Sequence, residues 1–315
     1  MGIINLFLVA GVLLIAVGVA ALVHQFLHPP RKTYAVALAR QLPADPADLG
    51  LTAEAWTFDL ADGNIAAGWV IDGRDATGPT VIFTHGWGDS RFGALTWVPL
   101  IEAFAARIVV YDLRGHGDST AAASRAGTSE VADLLAVIDQ VQADTDGPSA
   151  PAGNTVVLLG HCLGAGISMA AAARDGARRQ SRVRGVIADG AARRLDQPLA
   201  WAVRTRGWPV FPLVPLAAMV VAVWTCGKLR GVDYARDAVA LGCPLLLLHG
   251  AQDPLARLDS ARQIHAAAPD ARLVVFQDAG HGNLAHLDPA RYGDELTRFF
   301  ARVRSGGQCT IETRS

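Results

Sequence analysis

A short segment around Cys162 has the residue types of an enzyme nucleophile. Gly160-His161-Cys162-Leu163-Gly164 lies between the strand-like run VVLLG and an alanine-rich helical run. It matches the nucleophile pattern G-x-S-x-G with a thiol in place of the hydroxyl. Gly160 and Gly164 suit a tight strand-to-helix turn, because a Cβ at either position would collide with the backbone. The helix that follows directs its first amides at the sulfur, which favours a thiolate.

A base and an acid for this thiol are predicted further along the chain. His281, in the loop AGHGN after the last predicted strand, is the candidate base. Asp253, in HGAQD after the strand CPLLLLHG, is the candidate carboxylate that orients the imidazole. The order Cys162, Asp253, His281 is the order in which such triads occur around a nucleophile elbow. Asp189 and His286 are the alternative acid and base.

The loop His85-Gly86-Trp87-Gly88 follows the predicted strand VIFT and is the candidate oxyanion loop. Acyl transfer places negative charge on the substrate oxygen, so it requires preorganised hydrogen-bond donors. We expect the backbone amides of Trp87 and Leu163 to supply them. The Trp87 indole either lines an acyl pocket or fills a packing gap. This chemistry requires no metal and no cofactor.

The elements that position these residues are short buried strands alternating with helices. Residues 54–60 and 65–71 flank the turn Ala61-Asp62-Gly63-Asn64 and predict a hairpin. Apolar strand runs then begin near residues 79, 107, 154, 183, 243 and 271, with helical stretches between them. This alternation predicts an α/β fold with a doubly wound, mostly parallel sheet. The candidate site residues follow strand ends, where ligands bind in such sheets.

The N-terminal region predicts a membrane anchor. Ile3 to Val23 contains Asn5 as its only strongly polar residue, and a helix of this length matches a bilayer core. Arg31, Lys32 and Arg40 follow the run, whereas no Lys or Arg precedes it, so the positive-inside rule predicts a single-pass protein of the cell membrane with a cytoplasmic catalytic domain. The expected organisation is a transmembrane anchor at 1–28, a proline-containing linker at 29–51, a catalytic domain at 52–304 and a tail at 305–315.

Composition narrows the possible partners. The net charge of −1 argues against a nucleic-acid surface. The four cysteines, Cys162, Cys226, Cys243 and Cys309, have no spacing typical of a zinc site or a disulfide framework. The expected partners are a small acyl substrate and the membrane, and the oligomeric state is left open.

Taken together, the motifs HGWGDS, YDLRGHGDS, GHCLG, HGAQD and AGHGN make residues 52–304 resemble the α/β-hydrolase superfamily. The resemblance is closest to membrane-anchored lysophospholipase-like and monoglyceride-lipase-like serine hydrolases. The chain departs from them at Cys162, where they carry serine. Cysteine at this place is similar to dienelactone hydrolases and polyhydroxyalkanoate synthases. By the same resemblance, Arg114 and His116 brace a loop rather than react.

Residues 192–242 occupy the place where this superfamily inserts a lid. The run from Gly207 to Gly227 contains no charged residue and is long enough for a second membrane span. Such a span would separate Cys162 from Asp253 and His281, so we expect a helical lid that dips into the membrane interface and admits a lipid-like substrate.

The predicted function is hydrolysis of an ester or thioester bond through a covalent acyl-enzyme. A cysteine nucleophile is better matched to thioesters and activated esters than to ordinary esters, because it forms a thioester intermediate. Two alternatives remain. The chain is an acyltransferase or polyhydroxyalkanoate-synthase-like enzyme, or it is a catalytically silent protein that binds lipid or a partner at the membrane.

Overall fold

The computed structural model describes residues 2–121, 123–144, 155–178, 181–225 and 231–306. Its centre is an eight-stranded sheet in the order β1-β2-β4-β3-β5-β6-β7-β8. The strands are β1 Ala53–Asp59, β2 Ile65–Asp72, β3 Thr80–Thr84, β4 Arg107–Tyr111, β5 Val156–His161, β6 Val183–Asp189, β7 Leu245–Gly250 and β8 Ala271–Phe276.

The sheet is antiparallel at one edge and parallel elsewhere. β1 and β2 form the predicted hairpin, and β2 also pairs antiparallel with β4. From β4 to β8 every neighbouring pair is parallel. All five residues of β3 and of β4 are buried, as expected for strands covered on both faces. The predicted α/β fold with a mostly parallel sheet is confirmed.

Twelve α-helices are described around the sheet. They are α1 Gly2–Leu27, α2 Tyr34–Ala39, α3 Arg91–Ala94, α4 Val98–Ile101, α5 Glu130–Ala143, α6 Leu163–Gly176, α7 Asp196–Arg204, α8 Val210–Trp224, α9 Tyr234–Val239, α10 Leu258–Ala267, α11 Leu284–Leu287 and α12 Pro289–Arg304. One hydrophobic core lies under α5, α6 and α9, and a second lies on the opposite face, under α3, α4 and α12.

A third hydrophobic core lies away from the sheet and joins α1 to the two helices of the predicted lid. It contains Val19 and Leu22 from α1, together with Leu199, Val203, Leu213, Val214 and Ala217 from α7 and α8. Within the described ranges α1 is the one helix long and apolar enough to cross a membrane. Its N-terminal side chains are exposed, with Phe7 72% and Leu14 74% accessible. Only its last turns therefore pack on the rest of the protein.

The segment predicted as a linker carries local structure and contacts. It contains α2 and a 3-10 turn at Pro46–Leu49, which Asp45 caps with its side chain. Arg31 donates hydrogen bonds to three backbone carbonyls, those of Gly117, Ser119 and Ala121. Lys32 forms an ion pair with Asp89 at 2.7 Å. These two cations fasten the end of α1 to the domain, so their presence has a structural reason besides membrane orientation. The division into anchor, linker, domain and tail stays a prediction.

The predicted lid contains α7 and α8. Within the apolar run that is long enough for a second span, Val210–Trp224 form α8, a helix of 15 residues that packs against α1 and α7. Residues 226–230, which include Cys226, and the tail from residue 307, which includes Cys309, lie outside the described residues.

Candidate active site

Cys162 occupies a tight turn between β5 and α6. Its φ of 56° and ψ of −115° are uncommon for a residue with a side chain, and such strain is typical of a nucleophile elbow. A Cβ on Gly160 would lie 2.2 Å from the Gly164 carbonyl oxygen, and a Cβ on Gly164 would lie 1.9 Å from the Thr84 carbonyl oxygen. Neither position can accept another residue without moving the backbone. The turn leaves Cys162 partly accessible.

His281 and Asp253 meet at the carboxyl end of the sheet. The Asp253 Oδ2 atom lies 2.6 Å from the Nδ1 atom of His281. The other carboxylate oxygen accepts hydrogen bonds from the backbone N–H groups of Leu255 and Ala256, both at 2.8 Å. The Asp253 side chain is fully buried and the His281 side chain is 19% exposed. The carboxylate is therefore held in place and in turn holds the imidazole.

The His281 imidazole interacts with the Cys162 thiol closely enough to shift the pKa of both groups. Burial disfavours the imidazolium, but the hydrogen bonds to Asp253 and Cys162 outweigh it and raise the pKa of His281 to about 10. Burial likewise disfavours the thiolate, yet the bond to His281, the charges of His281 and His161, and the Leu163 N–H lower the pKa of Cys162 below its ordinary value. The lowered pKa of Cys162 and the raised pKa of His281 both favour a thiolate–imidazolium pair.

The loop after β3 lies directly beside Cys162, the candidate nucleophile. A Cβ on Gly86 would be 3.0 Å from the Cys162 Cβ, so a side chain at position 86 would crowd this residue. His85 is fully buried; its Nε2 accepts the Leu113 N–H at 3.0 Å and its Nδ1 lies 2.8 Å from the Gly86 carbonyl oxygen. Burial lowers the pKa of His85, so the ring is neutral and braces the loop. The Trp87 indole donates a hydrogen bond to the Phe26 carbonyl at 3.0 Å.

The alternative acid and base have other contacts than Asp253 and His281. Asp189 is fully buried and accepts a hydrogen bond from the Tyr292 hydroxyl at 3.0 Å. Its other oxygen lies 3.3 Å from His161 Nδ1, and no described contact joins it to His281. His286 is exposed on α11. Neither is placed as Asp253 and His281 are.

The sequence reasoning missed His161, whose ring centroid lies 4.9 Å from that of His281. With Asp189 it forms a second histidine–aspartate pair beside the first. The available signals were a histidine adjacent to the candidate nucleophile and an aspartate at the end of the neighbouring strand. That these two residues form a pair follows only from the β5–β6 register, which aligns His161 with Asp189.

Cys162 opens onto a cavity of about 180 Å³ with a mainly apolar lining. The cavity is lined by Leu163 of the elbow, by Trp87 of the candidate oxyanion loop, by Leu195, Leu199 and Trp201 of the predicted lid, and by Leu22 and Phe26 of α1. Tyr234 of α9 also lines it and was not anticipated. No set of three or more His, Cys, Asp or Glu side chains in the described ranges could hold a metal ion.

Arg114 and His116 lie away from the thiol, in the loop after β4. Arg114 is 3% exposed and forms two hydrogen bonds with the Asp133 carboxylate, at 2.6 and 2.8 Å, and a third with Asp62. His116 is buried, and burial lowers its pKa to about 3. These contacts tie the loop to α5 and to the hairpin turn, which is a bracing arrangement.

The sequence of residues 81–295 matches the model of the alpha/beta hydrolase family. The chain belongs to this family. An uncharacterized protein of Mycobacterium tuberculosis is 24% identical over 275 residues, covering 71% of this chain and 75% of that protein. The lysophosphatidylserine lipase ABHD12 of Macaca fascicularis is 24% identical over 211 residues, covering 65% of this chain and 49% of the lipase.

Solved structures show the same fold. The Pyrococcus furiosus esterase PF2001 superposes with a TM-score of 0.68 at 20% identity, covering 88% of this α/β hydrolase and 98% of the esterase. A thermophilic esterase from Thermogutta terrifontis gives a TM-score of 0.56 at 21% identity, covering 80% and 99% of the two chains. The prediction of a hydrolase enzyme with an α/β-hydrolase fold is confirmed, and esterase- or lipase-like activity is the class supported.

Proposed function

We propose that this α/β hydrolase cleaves acyl thioesters and activated esters through a Cys162–His281–Asp253 triad. The observation that carries the proposal is the arrangement of Asp253, His281 and Cys162 around one apolar cavity. Asp253 lies 2.6 Å from the His281 imidazole, and that imidazole interacts with the Cys162 thiol. A thiolate that faces such a cavity suits a substrate whose acyl part is hydrophobic.

In the first half of the reaction the Cys162 thiolate attacks the substrate carbonyl carbon and forms a carbon–sulfur bond. The N–H groups of Trp87 and Leu163 are the proposed donors to the resulting oxyanion. The intermediate collapses when the bond to the leaving group breaks, and the His281 imidazolium gives its proton to that group. Asp253 stabilises the imidazolium throughout, because its carboxylate stays ionised against Nδ1.

In the second half His281 accepts a proton from water, and the resulting hydroxide attacks the acyl-enzyme thioester. The carbon–sulfur bond breaks, the carboxylic acid leaves and Cys162 regains its starting state. A second acyl acceptor in place of water would yield a transfer product from the same intermediate.

The preference for thioesters follows from the nucleophile. Exchange between two thioesters is nearly neutral in free energy, whereas making a thioester from an ordinary ester is unfavourable. The test compares kcat/KM for matched acyl thioesters and oxyesters with the purified full chain. We expect the thioester to react faster and Cys162→Ala to abolish both activities. A preference for the oxyester, or turnover that survives Cys162→Ala, would refute the cysteine mechanism.

A chemical test separates the enzyme from a silent binding protein. We expect iodoacetamide to label Cys162 faster than Cys243, because the buried Cys243 thiol has its pKa raised by burial to about 12. Equal or slower labelling of Cys162, together with absent turnover, would favour the binding protein.

We further propose that α1 crosses the membrane and that the catalytic domain is cytoplasmic. The exposed apolar side chains of residues 3–17 support insertion, and the basic residues after α1 support the orientation. Alkaline carbonate should leave the protein in the membrane fraction, and protease should reach the domain in inside-out vesicles but not in right-side-out ones. Release by carbonate, or the opposite protease pattern, would contradict the proposal.

A further inference from the structure

The wall of the active-site cavity includes the end of the N-terminal helix. Leu22, Gln25 and Phe26 of α1 line the cavity that reaches Cys162. Leu22 is 3% exposed and belongs to the hydrophobic core that α1 shares with α7 and α8. The last turns of α1 therefore form part of the cavity wall, and they also connect the domain to the exposed apolar turns of the same helix.

Hydrogen bonds hold this end of α1 in a set position relative to the chemistry. The Phe26 carbonyl accepts the Trp87 indole N–H at 3.0 Å, and the Leu27 carbonyl accepts the Ser124 N–H at 2.8 Å. Trp87 is also the candidate oxyanion donor through its backbone. These hydrogen bonds fix the end of α1, so they also fix the distance between the Phe26 side chain and a substrate carbonyl bound at Trp87.

A second cavity shares Phe26 with the first as a lining residue. It has a volume of about 230 Å³ and is lined chiefly by apolar residues, among them Pro215, Ala218 and Met219 of α8. Among the described residues, three line both cavities: Phe26 from α1, and Leu195 and Leu199 from the predicted lid. These side chains are the candidate partition between the space that reaches Cys162 and the space that α8 lines.

We infer that Phe26 is the stop that limits how long an acyl chain the site accepts, and that Leu22 narrows the same cavity. This inference rests on the proposed function. An acyl chain attached to Cys162 extends into an apolar space that ends at the partition, so removing the partition adds the second cavity to the first. Chain-length selection is then a property of the helix that also provides the apolar N-terminal segment.

The experiment measures kcat/KM for a thioester series from butanoyl to hexadecanoyl with the full chain in detergent micelles. Phe26→Ala should raise the dodecanoyl-to-butanoyl ratio on the order of tenfold, since the added space accommodates several more methylenes. Leu22→Phe should lower that ratio, because the larger side chain occupies the cavity. Opposite shifts from neighbouring positions cannot arise from a general loss of stability.

Matched controls come from the exposed part of the same helix. Phe7→Ala and Leu14→Phe make the same substitutions at positions 72% and 74% exposed, so both should keep the wild-type ratio. If Leu22→Phe fails to fold, Leu199→Ala takes its place: it opens the partition from the lid side and should shift the ratio in the same direction as Phe26→Ala.

Three outcomes decide the matter. Opposite shifts at positions 26 and 22 with unchanged controls support the inference. Cys162-dependent butanoyl turnover with an unchanged ratio in Phe26→Ala overturns the inference and leaves the proposed function standing. Absence of Cys162-dependent turnover on every substrate overturns the proposed function and the inference with it.

Discussion

Two histidine–aspartate pairs lie side by side at the carboxyl edge of the sheet, and they differ in what else each histidine contacts. The Nδ1 atom of His281 lies 2.6 Å from Asp253 Oδ2, and the ring interacts with the Cys162 thiol. His161 is 3.3 Å from Asp189, whose second oxygen accepts the Tyr292 hydroxyl. Residue types and strand-end positions alone therefore do not distinguish the two pairs; the interaction with the Cys162 thiol makes His281–Asp253 the candidate catalytic pair.

The largest difference between the pairs should appear when each histidine is replaced. His281→Gln removes the base, so kcat/KM for a thioester should fall on the order of 10⁴-fold. His161→Gln and His286→Gln should each cost less than about tenfold, because neither ring is placed to move the thiol proton. A steady-state assay of the three variants checks this. Comparable losses at positions 161 and 281 would erase the distinction between the two pairs.

The aspartates should differ next. Asp253→Asn leaves the shape unchanged but removes the charge that stabilises the imidazolium, so kcat should fall by roughly 10³-fold. The loss is smaller than for His281 because the carboxylate acts only through the ring. Asp189→Asn is the matched substitution and should spare kcat in the protein that remains folded. An Asp189→Asn variant that is folded yet as inactive as Asp253→Asn would assign the second pair to catalysis.

The hydroxyl behind Asp189 should affect stability more than activity. Tyr292→Phe leaves one oxygen of a buried carboxylate without its donor, which should lower the free energy of unfolding by about 1–3 kcal/mol. Tyr34→Phe is the control because Tyr34 is 54% exposed. Denaturant unfolding and kcat are measured on both variants. A stable Tyr292→Phe protein with reduced kcat would be the contrary result.

The smallest expected effect is on pH dependence. With the pKa of Cys162 lowered and that of His281 raised to about 10, the thiolate–imidazolium pair exists between the two values. The kcat/KM profile should rise on the acid side as Cys162 loses its proton and fall near pH 10 as His281 loses its own. His161→Gln removes the contribution of His161 that lowers the pKa of Cys162, so the acid limb should move up by less than about one pH unit. An acid limb that stays in place, as it should in His286→Gln, would show that His161 does not influence the thiol.

Much of the candidate site could be proposed from the sequence because the elbow and strand-end motifs are local. Gly160, Cys162 and Gly164 occur within five residues, and their role follows from the space available in one turn. Asp253 and His281 could be placed because parallel strands bring their carboxyl ends to one edge. The hydrogen bond from Arg114 to Asp133 also agrees with the expectation that Arg114, in the motif YDLRGHGDS, braces a loop.

What lay beyond prediction involves residues distant in sequence and unremarkable in type. Nothing about Phe26 in an apolar N-terminal run indicates that it lines the cavity of a residue 136 positions away. The same run reads as a uniform apolar helix, since hydrophobicity does not distinguish lipid-facing from protein-facing turns. His161 likewise acquired its aspartate only through the β5–β6 register.

The amino-acid sequence by itself determined the α/β class, the elbow cysteine, the order of the candidate acid and base, and the presence of a membrane-compatible helix. These depend on local sterics and on hydrophobic periodicity, which are properties of neighbouring residues. The tertiary structure decided which histidine interacts with the Cys162 thiol, how the end of α1 meets the loop that contains Trp87, and which residues line the cavity. Those features are distances between side chains on separate elements, and only the packing of the elements sets them.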